Sequence, residues 1–276
     1  MPAATPTLQP QPRTIAAHWP EYAMEGAELA LFMLSACSFG VLLEHPMSPL
    51  HQAIDSAFLR RLVMGLAMAV TLVAIVQSRW GQRSGAHLNP ALTFNYWLLG
   101  KVNRTDALGY IAAQFLGGAF GVWLASLLIG PPLGHTAVNY VATLPGDGGS
   151  LIAFVAEFAI SCFLMTTVLV ASNSVSLRRL TPYLAGILVA LYIAFEAPLS
   201  GMSMNPARTL GSALAAGDFN ALWVYFSAPL LGMGAAAFLY AQLRGVRRVY
   251  CAKLHHHNRQ RCIFRCNYEA MDVESL

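Results

Sequence analysis

The sequence predicts an all-α membrane protein in which six transmembrane helices and two re-entrant half-helices form two inverted repeats. Three observations carry that expectation. The 276 residues are 56% hydrophobic and only 11% charged, against about 25% charged residues in an ordinary soluble domain. The apolar residues fall in runs of roughly 20, the length that crosses a bilayer as a helix. The tripeptide Asn-Pro-Ala occurs twice, at Asn89-Pro90-Ala91 and Asn205-Pro206-Ala207, 116 residues apart.

Taken in order, residues 1–20 are Pro-rich and read as a disordered N-terminal tail. No cleavable signal peptide is expected, because no A-x-A-like exit precedes the first span. Residues 21–243 form the membrane domain, with spans at about 24–44, 60–78, 107–129, 150–172, 181–198 and 221–243. The first repeat covers about 24–129 and the second about 150–243. Ala27-Glu28-Leu29 in the first span is echoed by Ala156-Glu157-Phe158 in the fourth, and Gln114 by Gln242. Three spans per repeat is an odd number, so the second repeat enters the membrane inverted.

In each repeat an Asn-Pro-Ala follows the second span, and the segment after it is short: ALTFNYWLLG, then ARTLGSALAA. Ten helical residues cover only about 15 Å, too little to cross alone. Asn is a strong N-cap residue and Pro is preferred at the first helical position, so each motif marks a helix start. Inversion brings the two starts in from opposite faces. Irregular backbone at membrane depth needs protein or a watery cavity to satisfy it, which implies a lumen.

Lys and Arg are distributed asymmetrically. Arg79, Arg83, Lys101, Arg104, Arg178, Arg179, Arg244, Arg247 and Arg248 fall on one side of the six-span arrangement, and the loop at 130–149 has none. The positive-inside rule then places both termini in the cytoplasm, in a plasma (cell inner) membrane. The net charge of +4 reads as anchoring to that face, with no nucleic-acid partner. The five cysteines suggest no disulfide framework. Residues 244–276 form a basic cytoplasmic tail carrying Cys251, Cys262, Cys266 and His255-His256-His257. Their spacing matches no strong zinc motif, so the expectation is no metal, no cofactor, and a disordered tail lying on anionic lipid.

SGAHLNPALTF at 84–94 and GMSMNPARTLGSAL at 201–214 resemble the two signature loops of the aquaporin family, the major intrinsic proteins. The resemblance implies a homotetramer with one pore per subunit, embedded in lipid, passing water or small neutral solutes, and not an enzyme. It makes Asn89 and Asn205 the pore donors, each with an NH₂ free to point into the lumen. It makes Arg208 the outer constriction; a charge at that depth usually marks a water-lined path. Glu28, Glu157 and Gln114 become buried supports of the loops. The remaining filter positions fall on Ile193, Met202 and Ala69, with Met64 replacing Ala69 if extra residues near 78–82 shift the match. Such a filter is more apolar than one with Phe and His. Thr209, Ala213 and Tyr225-Phe226 instead look like the water-channel branch. Glu196 is a candidate support for the loop carrying Met202. Water is the first reading; a glycerol-type facilitator, a gradient-coupled transporter and a structural protein with a residual pore stay open.

Overall fold

A computed structural model describes residues 15–273, and the regular structure among the described residues is helical. In chain order the α-helices among the described residues are α1 (Ile15–Glu44), α2 (Pro49–Ala53), α3 (Ala57–Gln77), α4 (Arg79–Ser84), α5 (Pro90–Leu98), α6 (Arg104–Ile129), α7 (Gly149–Ser172), α8 (Thr181–Phe195), α9 (Ala197–Ser200), α10 (Pro206–Ala216), α11 (Leu222–Arg244) and α12 (Ala270–Val273). Five of them, α1, α3, α6, α7 and α11, are long and apolar enough to cross a membrane. The sixth, α8, has 15 residues, about 22 Å of helix. The span expected at 181–198 therefore breaks at Glu196. Pro198 explains the break: it sits in the first turn of α9 and has no N–H to carry the hydrogen-bond ladder of α8 onward.

The first helix begins at Ile15, inside the segment expected as a tail, and residues 1–14 lie outside the described residues. Its first turn is held by Asp106 at the start of α6, which bonds His18 Nδ1 at 2.7 Å and accepts from Tyr22 Oη at 2.6 Å, all buried. Large apolar side chains such as Leu116, Phe163 and Phe238 stand two-thirds or more exposed around the outside. That is a surface for lipid or another copy, not for water.

The two repeats pack alike. Helix α1 lies against α6 and α7 against α11, while α3 and α8 join the halves. The α1–α6 contact is backbone on backbone: a Cβ on Gly117 would fall 2.0 Å from the carbonyl oxygen of Gly26. Gly232 meets Phe158 in the same way at 2.3 Å. Half-helix α5 rests on α6 and α11, and α10 rests on α6.

The loops entering the two half-helices share one backbone path. Left-handed φ occurs at Gly85, Ala86 and Leu88 in the first and at Gly201, Met202 and Met204 in the second. A non-glycine residue there costs of order 1 kcal/mol or more and persists only where its surroundings hold it.

The C-terminal segment is not a disordered surface tail. Val249, Tyr250, Ala252 and Leu254 are buried, as are Ile263 and Phe264. The basic residues dominate the average charge of this segment, but short apolar runs between them supply what packs.

Candidate functional site

A cavity with about 100 Å³ open to water centres runs between the half-helix starts. Its walls are apolar residues of α1, α3, α7 and α8, among them Leu29, Phe32, Met68, Leu164 and Val189, and both Asn-Pro-Ala loops contribute Leu88, Asn89, Met204 and Asn205. A second cavity of about 190 Å³ adjoins it, bordered by Gly40, Glu44, Val138 and Ala142. Four residues line both cavities and so form their boundary: Met64, Ile193, Met202 and Arg208. At its other end the first cavity reaches His87 and Leu254.

Asn89 and Asn205 cap α5 and α10. Asn89 Oδ1 accepts from Ala91 N–H at 2.8 Å, and Asn205 Oδ1 from the N–H groups of Ala207 at 3.0 Å and Arg208 at 3.3 Å. The side-chain NH₂ groups are not both free, as the sequence suggested. Asn89 Nδ2 donates to the Met204 carbonyl, and Asn205 Nδ2 to the Leu88 carbonyl, both at 2.6 Å. Each Asn thus crosses the pseudo-twofold axis to the opposite loop. An amide NH₂ carries two hydrogens, so one remains on each Asn for the lumen. The two helix starts meet here, and each brings partial positive charge.

Buried carboxylates hold the loops from behind. Glu157 accepts from Ser203 N–H at 2.6 Å, Met204 N–H at 2.7 Å and Ser200 Oγ at 2.8 Å. In the first repeat the equivalent work falls to Glu25, one turn before the expected Glu28. Glu25 accepts from the Leu88 N–H and from Gln114 Nε2. Among the described residues Glu28 accepts only from Ser84 Oγ, at 3.0 Å. Gln114 also donates to Thr93 Oγ1 at 3.0 Å, and Thr93 bonds His87 Nδ1 at 3.0 Å. His87 Nε2 lies 2.8 Å from the Ala252 carbonyl. A carbonyl only accepts, so the hydrogen is assigned to Nε2, and Nδ1 accepts from Thr93.

Arg208, one turn into α10, bonds Thr143 of the 130–149 loop through its guanidinium, and makes no ion pair among the described residues. Ala69 does not line either cavity; its backbone packs beside Gly186 of α8. Met64 takes its place on the boundary. Helix α4, absent from the simple spacing count, consumes the intervening residues and moves the match five positions back along α3. Neither carboxylate oxygen of Glu196 makes a hydrogen bond of full geometry among the described residues; its neighbour on the way to Met202 is Ser200.

Comparison with known proteins matches the chain to one family. The model of the family described as "Major intrinsic protein" matches residues 23–240. The chain belongs to the major intrinsic protein family. Aquaporin NIP1-1 of Oryza sativa is 33% identical over 184 residues, which are 66% of this chain and 61% of that protein. Probable aquaporin AqpM of Archaeoglobus fulgidus is 34% identical over 155 residues, 55% of this chain and 61% of that one. The chain spans about three fifths of the length of the curated relatives it matches. The X-ray structure of the aquaglyceroporin from Plasmodium falciparum shares the fold, with a TM-score of 0.67 at 20% identity, over 82% of this chain and 96% of that one.

In this major intrinsic protein several site residues were not evident from sequence. Glu25 sits three residues before Glu28 on the same helix face, which was its available signal. Thr143 lay in a loop with no signal, and Leu254 in a segment read as a tail. That segment also gathers Cys251, His256, Cys262 and Cys266, whose ligand atoms all lie within 4.8 Å of one another. The expectation of no metal site rested on linear spacing, which does not measure this convergence. Lys253, two residues into the same stretch, is buried and donates to the carbonyls of Gln82, Gln260 and Arg261 at 2.6–3.3 Å. Burial lowers its pKa from the ordinary lysine value.

Proposed function

We propose that this chain is a passive transmembrane channel for water, excluding ions and protons, with small uncharged solutes as the alternative cargo. The observation that carries the reading is the lumen in which Asn89 and Asn205 meet at two opposed helix starts. A water passing there is held by its oxygen, on the remaining hydrogen of each amide. Its own hydrogens then point outward, and a donor-to-acceptor wire through the centre is interrupted. The partial positive charge of both helix ends adds an electrostatic barrier to hydronium and to metal cations, as in channels of this type. Arg208 gives the boundary a fixed positive charge with hydrogens for the solute. The apolar walls bind little, which suits rapid passage.

No carboxylate lines the central lumen among the described residues. A gradient-coupled transporter would need a free titratable or ion-binding group there, and His87, which the lumen reaches, has both ring nitrogens engaged by Thr93 and Ala252, so that reading is weaker. A small polyol is favoured by one feature: Met64, Ile193 and Met202 surround Arg208 with apolar atoms, complementary to a solute with hydroxyls on one edge and CH₂ groups on the other. The Lys/Arg asymmetry supports cytoplasmic termini, and the plasma (cell inner) membrane is the proposed location. A homotetramer follows from the family resemblance, with the exposed apolar belt as the surface to be covered.

The test is stopped-flow light scattering on vesicles holding the full chain, with sorbitol and then glycerol as osmolyte, in the presence and absence of a metal chelator. Accelerated shrinkage in sorbitol is expected. Re-swelling in glycerol would shift the cargo to small polyols. Shrinkage no faster than in protein-free vesicles under both conditions would overturn the channel reading.

A further inference from the structure

We propose that Cys251, His256, Cys262 and Cys266 are the four ligands of a structural zinc ion that locks the C-terminal segment across one mouth of the lumen. The geometry is that of a site rather than a chance grouping. Cys251 Sγ and Cys262 Sγ are 3.6 Å apart, and Cys266 Sγ is 3.1 Å from His256 Nε2. A tetrahedral ion with Zn–S near 2.3 Å and Zn–N near 2.0 Å separates its ligand atoms by roughly 3.5–3.8 Å, so small adjustments admit it. All five cysteines of the chain are free thiols.

The donor set selects the ion. Three thiolates and an imidazole are soft ligands that favour zinc over magnesium or calcium, and four protein ligands leave no open position, as in structural sites. Three thiolates around a divalent ion leave one negative charge. Lys253, two residues from Cys251, and Lys101, whose carbonyl accepts from the Arg265 N–H beside Cys266, bring positive charge close to the cluster. The His256 ring is seated on Tyr268, with centroids 4.2 Å apart, and Arg178 lies over the same Tyr268 ring.

The segment needs such a tie. Between Val249 and Glu269 it has no helix or strand, and a loop of this length inside a compact body is uncommon without a fastening. Metal binding by residues that are separated in the unfolded chain stabilises the folded segment directly.

What the tie holds in place is the floor of the lumen. Leu254, between ligands Cys251 and His256, lines the central cavity and donates its N–H to the Gly85 carbonyl at 3.1 Å. Ala252 accepts from His87, two residues from Asn89. Phe264, between ligands Cys262 and Cys266, stacks on the His87 ring with centroids 5.2 Å apart and planes 6° from parallel. Zinc therefore fastens the two residues that cover the loop at the mouth. Losing the ion frees Leu254 and Phe264 to withdraw. The consequence for flow rests on the channel reading above; the metal site itself does not.

The experiment uses the full chain without a polyhistidine tag, purified reduced. Elemental analysis is expected to find one zinc per chain. Replacement by Co²⁺ should give the intense visible bands and sulfur-to-cobalt charge transfer of a tetrahedral thiolate site. Cys262→Ser and Cys266→Ser should lose the ion, while His257→Ala, whose ring bonds Arg179 outside the cluster, should keep it. In vesicles, chelation should raise water permeability several-fold, and Cys262→Ser should be fast with or without chelator. Reduced wild-type protein with no zinc and no thiolate–cobalt spectrum overturns the site, and that measurement needs no variant to fold. A zinc-loaded channel whose flow is unchanged by complete chelation overturns the lock. If no preparation conducts, the channel reading falls, while the zinc stoichiometry and cobalt spectrum still decide the site.

Discussion

The assignment of loop support to Glu25 instead of Glu28 can be tested by three alanine substitutions that delete the same atoms. Glu157→Ala strands the buried N–H groups of Ser203 and Met204 along with the Ser200 hydroxyl. Each stranded buried donor costs about 1–3 kcal/mol, and a hydroxyl that can rotate costs least. The two N–H groups alone then amount to roughly 2–6 kcal/mol. Glu25→Ala strands the Leu88 N–H and one bond of Gln114, which retains Thr93; that is about 2–4 kcal/mol. Glu28→Ala strands only the Ser84 hydroxyl, about 1 kcal/mol or less. The lost side-chain volume is common to all three and all three sites are buried, so the differences report the hydrogen bonds. For a domain of this size about 1 kcal/mol moves Tm by roughly 2–4 °C. Thermal melting of the purified protein should rank Glu157→Ala lowest, Glu25→Ala next and Glu28→Ala highest of the three, with Glu25→Ala several degrees below Glu28→Ala. Water permeability should follow the same order, because Leu88, whose N–H donates to Glu25, accepts from the Asn205 amide at its carbonyl. Melting of Glu28→Ala at or below Glu25→Ala would refute the reasoning.

Arg208→Ala should admit cations and larger solutes, read as dissipation of an imposed ion gradient across vesicles; an unchanged leak would remove Arg208 from the boundary. Ile193→His should lower glycerol flux relative to water by narrowing the four-residue boundary, and an unmoved ratio would show that residue 193 does not face the solute. Met64→Ala should raise glycerol flux while Ala69→Val should not, since only Met64 lines the cavities. Gly117→Leu should prevent folding or lower Tm sharply, because even its Cβ would sit 2.0 Å from the Gly26 carbonyl oxygen; monodisperse protein with wild-type Tm would contradict the close α1–α6 contact.

Much of this architecture was legible in the sequence because it follows from local rules. Apolar runs located the spans, and Asn followed by Pro located both half-helix starts at Asn89-Pro90 and Asn205-Pro206. The odd number of spans per repeat implied the inversion that brings these starts together. Arg208 was legible for a related reason: a charge inside an apolar stretch must have a polar path. Ala69 was misplaced because counting back from Asn89 assumes a direct loop, whereas Arg79–Ser84 forms an extra helical turn. Glu28 was singled out because Ala27-Glu28-Leu29 echoes Ala156-Glu157-Phe158, and Glu25 was missed because hydrogen bonding depends on which turn of α1 faces Leu88.

The sequence by itself determined the membrane class, the two-repeat plan, the half-helix starts and the charge placed beside the second of them. These are consequences of hydropathy, of proline and asparagine backbone preferences, and of chain parity, all of which act over a few residues or simply count spans. Only the tertiary structure decided what crosses between distant segments. The amide of Asn89 reaches Met204 and that of Asn205 reaches Leu88, Met64 joins Ile193 and Met202 around Arg208, and the C-terminal segment returns to His87 with three cysteines and a histidine converging beside it. Such contacts join residues 100 or more positions apart in several cases, where no local propensity operates and only the packing of α1, α6, α7 and α11 sets the distances.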